Sequence, residues 1–297
     1  MSTATGAPWV VVGCGYAGER VAGRLAGAGA RVVVTTRREE RAAELTARLP
    51  GVEVRVVDAL EPDELKTVIP ASSVLVYSVP PDPERDPPTM MVRTVLAAAD
   101  ARAKRIVYLS STGVYGRGAG EWVDEDTPPR PESVLGVARF KSETALMSSA
   151  GSMRLEQVAL RVAAIYGPGR GVHARLARGE YRLVGDGANW VSRIHVDDLA
   201  GVIVAAGTVA PLLRASYAVA DDAPTTAREH AEGVAALLGL PPPPSVPADA
   251  LPPEVAELTL GNRRVRNTRM KAELGVTLAY PSWREGVAAL LAAGTGG

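Results

Sequence analysis

The first 110 residues alternate short apolar runs with longer stretches rich in Ala, Leu and Arg. Trp9–Gly13, Arg31–Thr36, Val52–Val57, Ser73–Val79 and Arg105–Ser110 are rich in β-branched residues. Most are near-continuously apolar, which is the pattern of strands buried on both faces. Between them the spacing predicts helices over Tyr16–Ala28, Arg38–Arg48 and Thr89–Ala103. Strand–helix alternation in this order implies an α/β fold whose parallel sheet is covered on both faces. Right-handed crossovers then make it doubly wound.

Beyond Ser111 the pattern loosens. Residues 113–135 are rich in Gly, Pro and acids and read as a long loop over the C-terminal edge of the sheet. A helix is expected at Val137–Ser149, a strand at Val158–Ile165, a loop-rich insert over 167–195 and a last strand at Ser216–Ala220. Prolines at 241–244, 247, 252 and 253 break the chain before a short C-terminal lobe. The expected division is one domain from residues 1–166 plus about 196–222, and a lobe from 167–195 plus 223–297.

Composition narrows the partners. Apolar residues make up 46% of the 297, which is ordinary for a globular chain. Lys plus Arg and Asp plus Glu both number 33, so no net charge steers the chain toward nucleic acid or an anionic membrane. A single cysteine, Cys14, rules out an internal disulfide or a multi-cysteine zinc site, and no metal site is expected. No run of about 18 apolar residues predicts a membrane span, and Met1–Pro8 lacks the basic and apolar regions of a signal peptide. The expected compartment is the cytoplasm.

Gly13-Cys14-Gly15-Tyr16-Ala17-Gly18 is a G-x-G-x-x-G run between a buried strand and a helix, the context such a loop needs to hold a dinucleotide. Gly13 would permit the tight turn, Gly15 the approach of a pyrophosphate, and Gly18 close packing of helix on sheet. Tyr16 and Ala17 open the helix, whose N–H groups and positive dipole end would face the phosphates. At the end of the second strand stand Thr36, Arg37 and Arg38, with no acid for an adenosine 2′-hydroxyl. A guanidinium there suits a 2′-phosphate, so NADP is expected, with NAD the alternative. Asp58, after the third strand, is placed either to accept from an adenine amino group or to cap a helix. Cys14 reads either as a buried spacer or as a thiol activated by the helix end.

The chain from residue 9 to about 290 resembles the extended short-chain dehydrogenase/reductases of the epimerase/dehydratase type. The resemblance rests on the Gly-rich loop, Leu109–Gly116 (LSSTGVYG), Ile165–Arg170 (IYGPGR), Ile194–Ala200 (IHVDDLA) and Tyr280–Gly286 (YPSWREG), in that order. It implies a Rossmann cofactor domain with a small C-terminal substrate lobe, and a Ser/Thr, Tyr and Lys catalytic set. By position, Ser111 matches the family's Ser/Thr, with Thr112 beside it. Anchoring the following helix on Gly136 and Glu143 puts Leu135 at the Tyr position and Arg139 at the Lys position. A shift of two keeps Lys141 but puts Val137 at the Tyr. No tyrosine lies between Tyr115 and Tyr166, so no register supplies one. Arg139 would hold a ribose hydroxyl but cannot shuttle a proton.

The candidates for proton transfer are then Ser111, Thr112, Tyr115, Tyr166, His173, His195 and the acidic run Asp124-Glu125-Asp126. His195 reads either as a cap before Asp197-Asp198 or as a site residue. Arg170, Asn189, Arg193 and His195 are placed on the substrate side, where arginines suit an anionic or nucleotide-sugar-like small molecule. The expected function is an NADP-binding oxidoreductase or epimerase/dehydratase-like enzyme without the usual Tyr and Lys. Left open beside it are a non-enzymatic NADP-binding sensor and a non-redox isomerase or cyclase on the same fold. The resemblance also implies a homodimer through the helices at Thr89–Ala103 and Val137–Ser149.

Overall fold

Seven of the strands form one parallel sheet: β1 (Trp9–Val12), β2 (Val32–Thr36), β3 (Glu53–Val56), β4 (Val74–Tyr77), β5 (Arg105–Ser111), β7 (Glu156–Val162) and β12 (Ser216–Val219). The computed structural model describes residues 6–59, 61–153, 155–250 and 259–294. The strand order is β12-β7-β5-β4-β1-β2-β3. From β1 the chain runs outward through β2 and β3, then returns to β4 and runs outward the other way. That reversal leaves a crevice beyond the carboxyl ends of β1 and β4, the place where sheets of this kind bind ligands.

Helices cover both faces. α1 (Tyr16–Gly27), α2 (Glu39–Arg48), α7 (Val196–Thr208) and α9 (Thr268–Leu274) supply buried side chains to a core on one face, including Val21, Leu45, Val202 and Met270. α3 (Pro62–Thr67), α4 (Pro87–Asp100) and α5 (Val134–Ser152) cover the other with Leu65, Val95 and Leu146. Among the described residues no helix is long and apolar enough to cross a membrane.

The ends of the expected elements fall within about three residues of the periodicity; α3 is a short helix it did not mark, and two further regions differ from it. The run expected as one strand at Val158–Ile165 breaks at Ala163 into β7 and β8 (Ala164–Tyr166). β8 leaves the main sheet to pair with β11 (Arg193–His195). The insert at 167–195 also holds α6 (Val172–Ala177), β9 (Leu183–Val184) and β10 (Trp190–Val191), elements too short to show a period. Beyond β12 come β13 (Thr225–Thr226), α8 (Ala227–Leu237), β14 (Ser245–Val246), β15 (Arg264–Val265) and α10 (Trp283–Ala292). β6 (Trp122–Val123), inside the long loop, pairs in parallel with β15.

Trp9 is 1% exposed, and α7 lies against it at Gly207. A Cβ at Gly207 would overlap the Trp9 ring and come within 3.0 Å of Val74 Cγ1. Alanine gains about 1 kcal/mol over glycine inside a helix. Overpacking against a ring fixed by the sheet costs about 1–3 kcal/mol. Gly207→Ala is therefore expected to lower the thermal midpoint. Gly23→Ala on α1, whose Cβ would meet only Leu49 Cδ2 at 3.6 Å, should raise it slightly. A differential scanning comparison of the two variants checks the sign of each shift.

Candidate active site

The Gly-rich turn sits at the carboxyl end of β1. Gly13 has φ 75°, and a Cβ there would lie 2.5 Å from Val79 Cγ2, so only glycine fits. Its amide donates to Thr35 Oγ1 at 3.1 Å, and its carbonyl accepts from Ser78 Oγ at 2.7 Å. At Gly18 a Cβ would come within 2.9 Å of Val11 Cγ1, which accounts for close packing of α1 on β1. At Gly15 a Cβ would meet nothing nearer than Gly13 O at 3.9 Å, leaving open space in front of the turn. The amides of Tyr16, Ala17 and Gly18 have no acceptor among the described residues. Open space facing unpaired amides at a helix start is what a pyrophosphate requires, so these residues fit a dinucleotide.

Cys14 is 4% exposed, and burial pushes its thiol up to about 12, which makes it an inert spacer. Beyond β2, Thr36 is buried while Arg37 and Arg38 are exposed. The nearby carboxylate of Glu19 is taken by Arg41 and Arg48, and Glu44 by Arg41. Neither Arg37 nor Arg38 forms an ion pair among the described residues. Asp58 stands half-buried after β3, and its carbonyl accepts from the Glu61 amide at 3.0 Å.

Along the carboxyl edge, between β5, β7, β8 and the segments at 190–192 and 259–265, lies a cleft of about 690 Å3. Of the expected site residues, Ser111, Thr112, Arg139 and Arg170 line it together. Ser111 caps the turn at Thr112–Tyr115 by accepting from the Gly113 amide at 3.1 Å. Arg139, reaching up from α5, donates to the Leu109 carbonyl at 2.6 Å. Among the described residues the polar side chains on the walls are hydroxyls, the Trp190 indole, the guanidiniums of Arg117, Arg139, Arg170 and Arg263, and one carboxylate, Glu132.

Beneath the cleft runs a buried network. Arg161 on β7 donates to Glu143 Oε1 from Nε at 3.0 Å, and Ser110 Oγ donates to Glu143 Oε2 at 2.9 Å. Arg161 Nη1 reaches the Tyr115 hydroxyl at 3.2 Å, and that hydroxyl donates to the Asp124 carbonyl at 2.8 Å. Tyr115, a candidate proton donor by sequence, thus has its oxygen engaged below the cleft rather than in it. Burial also pushes its phenol up to about 12. A guanidinium in an otherwise apolar strand (EQVALRV) was the signal that could have found Arg161, because a buried charge needs a partner.

Other expected site residues also serve structure. His195 is 1% exposed and caps α7, its Nδ1 accepting from the Asp197 amide at 3.2 Å, with its ring packed on Tyr166 and Tyr280. Arg193, expected to face substrate, is buried and donates to Val191 O and Thr225 Oγ1. Asn189 donates to the carbonyls of Thr259 and Gly261. Tyr166 donates to Ser282 O, and in the acidic run Glu125 accepts from the Ala218 amide while Asp126 pairs with Arg269. None of these lines the cleft: His195 acts as the local cap the sequence allowed, and the others bond to segments remote in sequence.

The outer wall is stitched from two distant segments. Gly120 N donates to Asn262 O at 2.7 Å, Asn262 N to Arg117 O at 2.6 Å, and Arg264 N to Glu121 O at 2.8 Å. The Arg264 guanidinium lies between the Trp122 and Trp190 rings, at 5.2 and 5.0 Å.

Residues 9–211 match the NAD dependent epimerase/dehydratase family. The chain belongs to that family. A 3-diazoavenalumate denitrifying reductase from a Streptomyces species is 30% identical to it over 92% of this chain and 96% of that one. A conserved protein of unknown function from Silicibacter pomeroyi has a similar structure, with 35% identity, a TM-score of 0.83 and coverage of 97% and 99%. MoeE5, solved with UDP-glucose and NAD, is 25% identical with a TM-score of 0.76, covering 95% and 96%. Membership of the epimerase/dehydratase family, together with a reductase relative, marks this protein as an NAD(P)-dependent enzyme.

The three histidines carry a pH signature. His173, His195 and His230 are 1%, 1% and 3% exposed, and burial holds each imidazole below its usual range. The unfolded chain takes up protons near pH 6.5 that the folded chain refuses. Their contribution is therefore complete above that pH and lost as the pH falls below it. Asp221 tilts the other way, because burial pushes its carboxyl up to about 8 and stability declines as pH rises toward that value. Comparing urea midpoints at pH 7 and pH 5 reads the histidine loss net of the opposing Asp221 change, and a histidine variant separates the two. His230→Phe, which keeps the edge contact with Trp283, should lose less stability over that range than the unaltered chain. An equal loss in both would exclude the imidazole as the source.

Proposed function

We propose that the protein is an NADPH-dependent reductase whose hydride acceptor leaves no oxyanion to be protonated. The observation that carries this is the chemistry of the cleft walls. The hydroxyls there and four guanidiniums orient and bind, but a guanidinium does not give up its proton at neutral pH. The wall carboxylate, Glu132, is exposed and accepts from the Arg117 amide at 3.2 Å. On the register that aligns Gly136 and Glu143, the positions of the usual Tyr and Lys hold Leu135 and Arg139. Arg139 is fixed by the Leu109 carbonyl, so its role is to hold a ribose hydroxyl. Ser111 orients the acceptor beside it.

The denitrifying reductase relative supports a diazo substrate. When an arenediazonium takes up the hydride that NADPH supplies, a C–H bond forms, the C–N bond breaks, and N2 leaves with that bonding pair. No proton enters the step, so no tyrosine is required. The substrate side takes in Arg170, the segments at 190–192 and 259–265 and the long loop, and Arg117 and Arg263 suit a carboxylate on such an arene. The nucleotide sugar bound by MoeE5 marks the competing substrate class. In the cofactor half, Gly13–Gly18 hold the pyrophosphate, and Arg37 and Arg38 the 2′-phosphate.

Two measurements test this reading. In fluorescence titrations NADPH should bind well ahead of NADH. A charge-assisted hydrogen bond contributes about 1.5–3 kcal/mol. The Arg37→Ala/Arg38→Ala double variant should thus weaken NADPH about tenfold or more and leave NADH unchanged. In turnover assays an arenediazonium carboxylate should drive NADPH oxidation with release of N2, and Ser111→Ala should slow it. Turnover of ketones or UDP-sugars in its place would sink the diazo reading. NADPH binding with no turnover on any of the three would leave a cofactor-binding regulator.

A further inference from the structure

We infer that Arg170 closes on the pyrophosphate of the bound dinucleotide, a cofactor clamp delivered from the substrate side of the cleft. The inference rests on the cofactor reading above and adds a residue that lies outside the Gly-rich loop. Arg170 ends the turn Gly167-Pro168-Gly169-Arg170, closed by two backbone hydrogen bonds between Gly167 and Arg170 at 2.9 and 3.0 Å. Gly169 has φ 68°, a left-handed conformation that lets the chain reverse within four residues. The turn is tied to the cofactor loop, since Tyr16 Oη donates to Pro168 O at 3.1 Å. The guanidinium then rests on the Tyr16 ring, with Cζ 5.2 Å from its centroid.

Tyr16 is the residue that opens α1, and with Ala17 and Gly18 it carries the unpaired amides described above. Arg170 reaches the same helix start from the turn after β8, through its contact with the Tyr16 ring. The other cleft arginines stand elsewhere. Arg139 is anchored on Leu109 O and assigned to the ribose, Arg263 donates to Gly116 O, and Arg117 belongs to the long loop. Arg170 is exposed and forms no ion pair among the described residues, so it is free to take two phosphate oxygens in a fork. Because Arg170 also lines the substrate cleft, the clamp adds a bound phosphate to the link that the Tyr16–Pro168 hydrogen bond already makes between the two halves of the site.

The test uses fragments of the cofactor on the full chain. ADP-ribose carries the pyrophosphate without the 2′-phosphate or nicotinamide, and 2′-AMP carries the 2′-phosphate without a pyrophosphate. Arg170→Ala should weaken ADP-ribose and NADPH about tenfold or more. It should also flatten the salt dependence of ADP-ribose binding, leave 2′-AMP affinity unchanged and leave the thermal midpoint within a degree or so of the parent. Arg170→Lys, which keeps the charge but loses the fork, should fall between the two. An ADP-ribose affinity in Arg170→Ala within twofold of the parent would overturn the clamp and return Arg170 to the substrate. If the parent chain binds neither NADPH nor ADP-ribose, the cofactor reading itself fails, and the clamp with it.

Discussion

The Glu143–Arg161 pair is the constraint on which the site depends. It joins α5 to β7, and through Ser110 and Tyr115 it also holds the end of β5 and the turn that follows. Two ions taken out of water cost several kcal/mol each, which is offset only when every remaining lone pair and proton is used. Here both carboxylate oxygens accept hydrogen bonds, and the guanidinium reaches a phenol as well. The geometry above the pair is correspondingly fixed. Ser111 and Arg139 meet at the cleft because the residues directly below them cannot shift without exposing a lone charge.

The cofactor half was legible in the sequence because its information is local. The alternation of strands and helices, the Gly13–Gly18 run and the apolar strands each declare themselves within a few residues, and the seven-stranded parallel sheet follows from them. The substrate half is built differently. Its strands at Leu183–Val184, Trp190–Val191 and Arg264–Val265 are two residues long, too short for any period. Its polar residues are committed by neighbours remote in sequence. Arg193 and Asn189 look like ligand-gripping groups until Thr225 and Gly261 are seen beside them. Ser111, Thr112, Arg139 and Arg170, expected on the site from the sequence, do line one cleft, and for Ser111 and Thr112 the end of β5 was a local signal.

The reassignment of Tyr115 has a chemical reason. A tyrosine useful for proton transfer needs a neighbouring cation and access to the substrate. Tyr115 has the cation, Arg161, but its hydroxyl is turned to a backbone carbonyl and its surroundings disfavour the phenolate. On the proposed reading the fold keeps hydride chemistry without acid catalysis, and the substrate range then narrows to acceptors that are already electrophilic.

The stitched outer wall bears on how the protein comes to exist. Gly120 and Arg264, which face each other across it, are 144 residues apart. During synthesis, β1, β2, β3, β4 and their helices can condense as soon as they emerge, since each pairs with chain already made. The long loop cannot: its partner strand follows it by 144 residues between Gly120 and Arg264. Until then residues 116–123, with their exposed Trp122, are without the backbone ladder that orders them. A nascent chain thus acquires the means to hold its cofactor well before it acquires a wall for its substrate.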